Sequence, residues 1–150
     1  MNNKQKIQIR FMEEKDLEQV CKIENQLFSM PWQKKDFAAA IQNEIGIYLV
    51  AEQDDTILGY CGMWNVANEG QINNVAVQTD AQNCGIGYQM LMELIQCGKK
   101  EKITAFTLEV RVGNCGAKHL YEKLGFKEVG IRKKFYEKPV EDASIMWLYI

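Results

Sequence analysis

The stretch from Ile72 to Ile95 constrains this chain more than any other. Ile72 to Val77 is β-branched and apolar and predicts a strand, while Met90, Leu91, Leu94 and Ile95 recur at helical spacing. Between them lies Gln82-Asn83-Cys84-Gly85-Ile86-Gly87, so a strand enters a helix through a tight glycine loop. Glycine at the start of a helix permits a positive φ and a close backbone approach, and the first-turn N–H groups have no acceptor within the helix. Such an N-terminus suits an anion, most naturally phosphate, although a strand–glycine–helix junction also serves as a plain turn. The dinucleotide pattern G-x-G-x-x-G fails at its third glycine, which is Met90, and no G-x-x-x-x-G-K-[ST] occurs.

With 150 residues, the chain is predicted to form a single domain, residues 1–150, large enough to bury most of its apolar surface. A net charge of -2 supplies no overall basic field of the kind that neutralises nucleic-acid phosphates, so nucleic acid is not expected as a direct ligand. No apolar run reaches membrane-spanning length, and Met1 to Lys6 is not followed by the apolar core of a signal peptide; a cytoplasmic protein with no membrane contact is expected. The 5 cysteines are Cys21, Cys61, Cys84, Cys97 and Cys115, an odd number without a C-x-x-C pair. With His119 the 1 histidine of the chain, neither structural disulfides nor a metal site is expected. His119 itself reads as a helix-surface residue. Ser29 and Ser144 lie outside any G-x-S-x-G elbow, which leaves serine hydrolysis without its nucleophile.

Taken in order, Ile7 to Met12 alternates as a first strand, and Lys15 to Phe28 is predicted as a helix with Leu17, Val20, Ile23, Leu27 and Phe28 on one face. Pro31 breaks it, and Gln33 to Asn43 makes a second helix with Phe37, Ala40 and Ile41 inward. Met30 and Trp32, in the hinge, serve either the core or the wall of a substrate site. Ile47–Glu52 and Ile57–Trp64 read as a hairpin, and Gly70–Val77 as the strand before the glycine loop. After the following helix come a strand over Ala105–Val110, a helix over Cys115–Leu124 capped by Gly125, and strands over Phe126–Ile131 and Ala143–Ile150. The order predicts a mixed α/β sheet covered on both faces, its two central strands parallel because a helix joins them.

Glu109 interrupts the apolar strand Phe106, Leu108, Val110, a setting in which an unpaired carboxylate is costly unless it faces solvent or a site. A salt bridge with Arg111 is not expected, on the premise that neighbouring strand residues face opposite sides of the sheet. Asn114 is a helix N-cap candidate, and Tyr121 on the following helix reads, by itself, as packing.

The Q-x-x-G-x-G loop resembles the pyrophosphate loop of the GNAT superfamily of acetyl-CoA-dependent N-acetyltransferases. Asn74-Val75-Ala76-Val77, Leu108-Glu109-Val110-Arg111, Asn114, Ala117, Leu120-Tyr121-Glu122-Lys123-Leu124-Gly125-Phe126, Glu128-Val129-Gly130, Arg132-Lys133, Pro139 with Glu141-Asp142-Ala143, and Pro31-Trp32 extend the likeness over essentially the whole chain. Within the superfamily they resemble the bacterial ribosomal-protein-alanine N-acetyltransferases. The resemblance implies a mostly antiparallel sheet with a splayed parallel strand pair, and acetyl-CoA in the cleft between those strands. It implies Glu109 as proton acceptor and Tyr121 as proton donor, with Val75, Ala76, Val77, Gln82, Asn83, Cys84, Gly85, Ile86, Gly87, Tyr88, Asn114 and Tyr121 contacting acetyl-CoA. The acceptor implied is the N-terminal segment of a ribosomal protein; a lysine, polyamine or small amine is the alternative, and a non-catalytic acyl-CoA-binding module the third reading. Members of the family usually carry arginine in the glycine loop, where this chain has Asn83 and Cys84. Backbone amides do not depend on that difference.

Overall fold

The computed structural model describes residues 6–150. One sheet carries seven strands in the order β1-β2-β3-β4-β5-β7-β6. They are β1 (Gln8–Phe11), β2 (Gly46–Gln53), β3 (Thr56–Val66), β4 (Glu69–Val77), β5 (Ala105–Arg111), β6 (Lys127–Glu137) and β7 (Val140–Tyr149). The helices are α1 (Leu17–Leu27), α2 (Lys34–Gln42), α3 (Ile86–Lys100) and α4 (Cys115–Lys123). Every pairing is antiparallel except β4 with β5. The mixed α/β class and the antiparallel strands leading to the glycine loop are as the pattern predicts. The last two strands are longer than expected, because they form a hairpin that projects beyond the apolar segments visible in the sequence.

The alternation of β2 explains why both faces are covered. Ile47, Leu49 and Ala51 enter a core shared with Met90, Leu91, Leu94 and Ile95 of α3. Tyr48 and Val50 enter a second core with Leu17, Val20 and Ile23 of α1 and Phe37 and Ala40 of α2. Successive side chains of a strand point to opposite faces, so a strand buried on both sides must be apolar throughout. The outer end of the sheet is tied down by Arg10, whose guanidinium bonds Asp16 at 2.8 Å through each terminal nitrogen and Glu52 at 3.0 Å. Burial pushes the Asp16 carboxyl up, but the bonds from Arg10 and from the Glu13 N–H outweigh it and hold the group below its usual value. Hydrogen bonding from Arg10 also lowers Glu52.

At the centre, β4 carries a bulge where its register against β3 shifts between Gly62 and Met63. The extra residue is Asn73, and the Tyr48 hydroxyl lies 2.9 Å from Asn73 Oδ1 and 3.1 Å from Asn74 Oδ1. A bulge bends its strand and increases local twist, and this one lies where β4 turns away from β5. Among the described residues, no helix is long and apolar enough to cross a membrane.

Candidate active site

The parallel pairing of β4 with β5 is limited to Glu69–Gln71 against Ala105–Thr107. Beyond those residues the strands diverge, and the gap opens into a cavity of about 1210 Å³. The Gln78 N–H bonds the Leu58 carbonyl of β3 at 2.8 Å. Because alternate residues of a strand point their N–H groups to opposite edges, those of Val75 and Val77 face the open side. On that same edge, Gln82 Nε2 donates to the Val77 carbonyl at 2.9 Å. Gln82 therefore fastens the loop to the strand.

The two glycines of the loop do different work. Gly85 has φ +82, and a Cβ added there would touch nothing, so backbone conformation is what requires glycine. A Cβ on Gly87 would lie 3.2 Å from Leu120 Cδ2 and 3.8 Å from Val77 Cγ2. Gly87 thus sets how closely α3 approaches α4 and β4, which differs from a glycine that merely clears space for a ligand. Gln89 is the first residue of α3 with a helical bond, to the Gly85 carbonyl at 3.1 Å. The N–H groups of Ile86, Gly87 and Tyr88 precede it, where a helix offers its own amides no acceptor. Of the residues expected at the cofactor, Cys84 is the one that stays out of the cavity. Asn83 takes φ +63 and turns the chain, leaving the Cys84 thiol exposed and 3.5 Å from the Gln82 carbonyl. Ala76 lines the cavity, and its side chain belongs to the α1 and α2 core.

The facing wall is β5 with α4. Asn114 caps α4 by accepting the Ala117 N–H at 3.2 Å, and Gly125 at φ +103 ends the helix with the Phe126 N–H on the Tyr121 carbonyl at 3.0 Å. These two terminations hold Tyr121, whose ring meets Phe126 edge-on at 6.0 Å and lines the cavity. Burial raises the Tyr121 phenol well above its usual value, with Tyr136 and Cys61 adding to the shift, so it remains protonated through the neutral range. Glu109 opens on the same cavity and lies 3.7 Å from an Arg132 nitrogen. No salt bridge joins it to Arg111, but the expected reason was mistaken. The two residues are two positions apart and share a sheet face; Arg111 is instead taken by Glu141 at 3.1 Å. Cleft, helix N-terminus, carboxylate and buried phenol are thus brought to one cavity.

The acetyltransferase (GNAT) family model matches residues 17–126. The chain belongs to the GNAT acetyltransferase family. It is an acetyl-CoA-dependent N-acetyltransferase, with the splayed β4–β5 pair of that fold. It is 35% identical over 144 residues to the ribosomal protein bS18-alanine N-acetyltransferase of Escherichia coli, covering 95% of this chain and 97% of the relative. The Haemophilus influenzae protein of the same name is 35% identical over 140 residues, covering 90% and 93%. The crystal structure of the Escherichia coli ribosomal-protein-S18-alanine N-acetyltransferase superposes with a TM-score of 0.88 at 34% identity, covering 97% of this chain and 94% of that one.

The cavity of this acetyltransferase is also lined by residues that sequence reading did not single out, Glu24 and Tyr136. Glu24 lies on the buried stripe of α1, four residues after Val20, and lines the cavity. It accepts the Tyr60 hydroxyl and, at 3.0 Å, the Trp32 N–H. Its position on an apolar stripe was the available signal. Trp32 packs on Phe37 at 5.1 Å and also lines the cavity, whereas Met30 lines it while 57% exposed. Tyr136 on β6 also borders the cavity; burial and the nearby Glu109 charge raise its phenol, and Arg111 opposes them. Ser29 of the α1–α2 connection donates to the Lys138 carbonyl of the β6–β7 turn, joining residues 109 positions apart. His119 is exposed at the cavity rim, as its helix-surface reading anticipates.

Proposed function

We propose that the chain acts as one domain that transfers the acetyl group of acetyl-CoA to the α-amine of an N-terminal alanine, on a small-subunit ribosomal protein in the cytoplasm, with no part played by nucleic acid or membrane. The observation that carries this reading is the single cavity onto which the α3 N-terminus, Glu109 and Tyr121 all open. In this reading the free amides of Ile86, Gly87 and Tyr88 hold the pyrophosphate, and Asn83 and Gln82 shape the loop that presents them. Glu109 accepts the proton of the acceptor ammonium, directly or through water, so that the neutral nitrogen can attack the thioester carbonyl. The cleft-facing N–H groups of Val75 and Val77 are the candidates to hold the negative charge that develops on the carbonyl oxygen. As the new C–N bond forms and the C–S bond breaks, Tyr121 gives its phenolic proton to the departing thiolate. No covalent enzyme intermediate is needed.

The acceptor assignment is supported by the names of the relatives and by two physical considerations. The Ser29–Lys138 bridge joins the α1–α2 connection to the β6–β7 turn, both of which line the cavity, and in this reading it favours a threaded chain end over a loop bearing an internal lysine. An α-amine with pKa about 7.7–8.0 also needs about 3–4 kcal/mol less deprotonation work than a lysine near 10.4. The test is mass spectrometry after incubation with acetyl-CoA and two peptides, one starting with a free alanine and one N-terminally blocked with an internal lysine. Acetyl on the α-amine is expected, with Glu109→Gln slowing it most at low pH. Acetyl on lysine beside a free alanine N-terminus overturns the reading in favour of a lysine or small-amine acceptor.

A further inference from the structure

We infer that Arg111 is the positioning residue of the acceptor wall, acting through a clasp with Glu141 on the β6–β7 turn. The inference rests on the reading of that end of the cavity as the acceptor site. Arg111 is the last residue of β5, two after Glu109, and both terminal nitrogens of its guanidinium are engaged. One terminal nitrogen donates to the Pro139 carbonyl at 3.0 Å and to Glu141 Oε1 at 3.1 Å, and the other donates to the Lys138 carbonyl at 3.3 Å. Its flat face covers the Tyr136 ring, 4.3 Å from the centroid.

The clasp extends to both neighbouring walls. Glu141 uses its second oxygen to accept the Gly113 N–H at 2.7 Å, which ties the turn to the loop that starts α4 and therefore to Tyr121. A Cβ on Gly113 would lie 2.8 Å from that oxygen, so the contact depends on glycine. The Lys138 carbonyl accepts from Arg111 and also from Ser29, so the same turn reaches the α1–α2 connection. A planar fork can satisfy two carbonyls, a carboxylate and a ring face at once; an ammonium on a flexible stem cannot. Arg111 touches none of the groups assigned to proton transfer, and its effect reaches the acceptor through Tyr136, Lys138 and Ser29.

The experiment compares the whole wild-type protein with Arg111→Lys, which keeps the charge, and Gly113→Ala, which disturbs Glu141 alone. Amide hydrogen exchange is followed without substrates, and steady-state kinetics with acetyl-CoA and the alanine-starting peptide. In Arg111→Lys, exchange should quicken at both residues 136–141 and residues 28–32, while β2 and β3 stay protected. The peptide KM should rise about tenfold or more, the order of losing one charge-assisted hydrogen bond, with kcat and acetyl-CoA affinity unchanged. Gly113→Ala should show the same pattern more weakly. Unchanged exchange in the two segments overturns the clasp, and so does a uniform loss of protection across the sheet. A fall in kcat and acetyl-CoA affinity at constant peptide KM also overturns it, by making Arg111 a structural residue of the whole cleft. Failure of the wild type to acetylate the peptide refutes the acceptor assignment, while the exchange results still decide whether Arg111 couples the two segments.

Discussion

The two walls of the cleft are built on opposite principles. The β4–α3 wall offers backbone: the open-edge N–H groups of Val75 and Val77, and the first-turn amides of α3 behind Gly85 at φ +82. The β5–α4 wall offers side chains: Glu109, Tyr121, and Arg111 with its four contacts to the β6–β7 hairpin. A wall made of backbone tolerates replacement of its side chains so long as the conformation holds, whereas one made of side chains does not. On this contrast the side chains of Asn83 and Cys84 should matter little on the first wall, whereas those of Glu109 and Tyr121 should matter on the second.

The sharpest way to break this contrast is to change side chains on the second wall. Tyr121→Phe and Glu109→Gln should each lower kcat by about 10²–10⁴, the range for loss of general acid or base help, while acetyl-CoA affinity measured by calorimetry stays near the wild-type value. A comparable loss of affinity would mean that these residues bind the cosubstrate and do not serve proton transfer.

On the first wall, conformation should matter and side-chain identity should not. Gly85→Val forces a β-branched residue toward positive φ at a cost of about 1–3 kcal/mol, and the loop escapes that strain by leaving its binding geometry. Acetyl-CoA affinity should then fall about tenfold or more, since each 1.4 kcal/mol is a factor of ten. Retained affinity in a well-folded Gly85→Val protein would separate the loop from the pyrophosphate.

Far from either wall, Arg10→Met should cost about 1–3 kcal/mol of stability by leaving the buried Asp16 carboxylate without its guanidinium, yet leave kcat and both KM values alone. The pH dependence has a definite sign. Asp16 and Glu52 are held below their usual values, so the stabilisation is fully present above the ordinary carboxylate range and is lost as pH falls through the lowered folded values. Denaturant midpoints of wild type and Arg10→Met should differ at pH 7 and at pH 5 and converge in stronger acid. A gap that persists there would point to lost packing of the arginine stem.

The smallest effects belong to the exposed loop side chains. Cys84→Ser, and Asn83→Gly, which keeps a positive φ accessible, should each change acetyl-CoA KM by no more than about twofold, the usual reach of surface substitutions. Asn83 carries the stricter test because it sits at φ +63.

What could be read from the sequence follows the same division. The strand–loop–helix unit, the Asn114 cap, the Gly125 stop and the position of Glu109 are local, written in spacing and in residue types whose preferences span a few positions. The Ser29–Lys138 bridge and the Arg111–Glu141 clasp join residues 109 and 30 positions apart, and no local pattern registers such pairs. Tyr136 escaped notice for the same reason, since its environment is created by a hairpin whose length apolar periodicity underestimates. Gly87 was legible as a glycine but not in its purpose, because Leu120 reaches it from another element.

The three-residue parallel pairing of Glu69–Gln71 with Ala105–Thr107 leaves the two halves of the sheet joined by a short hydrogen-bonded seam. A substrate that lies along the diverging strands completes what the backbone leaves open, and so becomes a component of the native state's thermodynamics. A ligand that binds the folded chain alone adds about 2.7 kcal/mol of stability at a hundred times its Kd. The persistence of this enzyme against unfolding and proteolysis is thereby coupled to the supply of acetyl-CoA around it, independently of whether any acceptor is being modified.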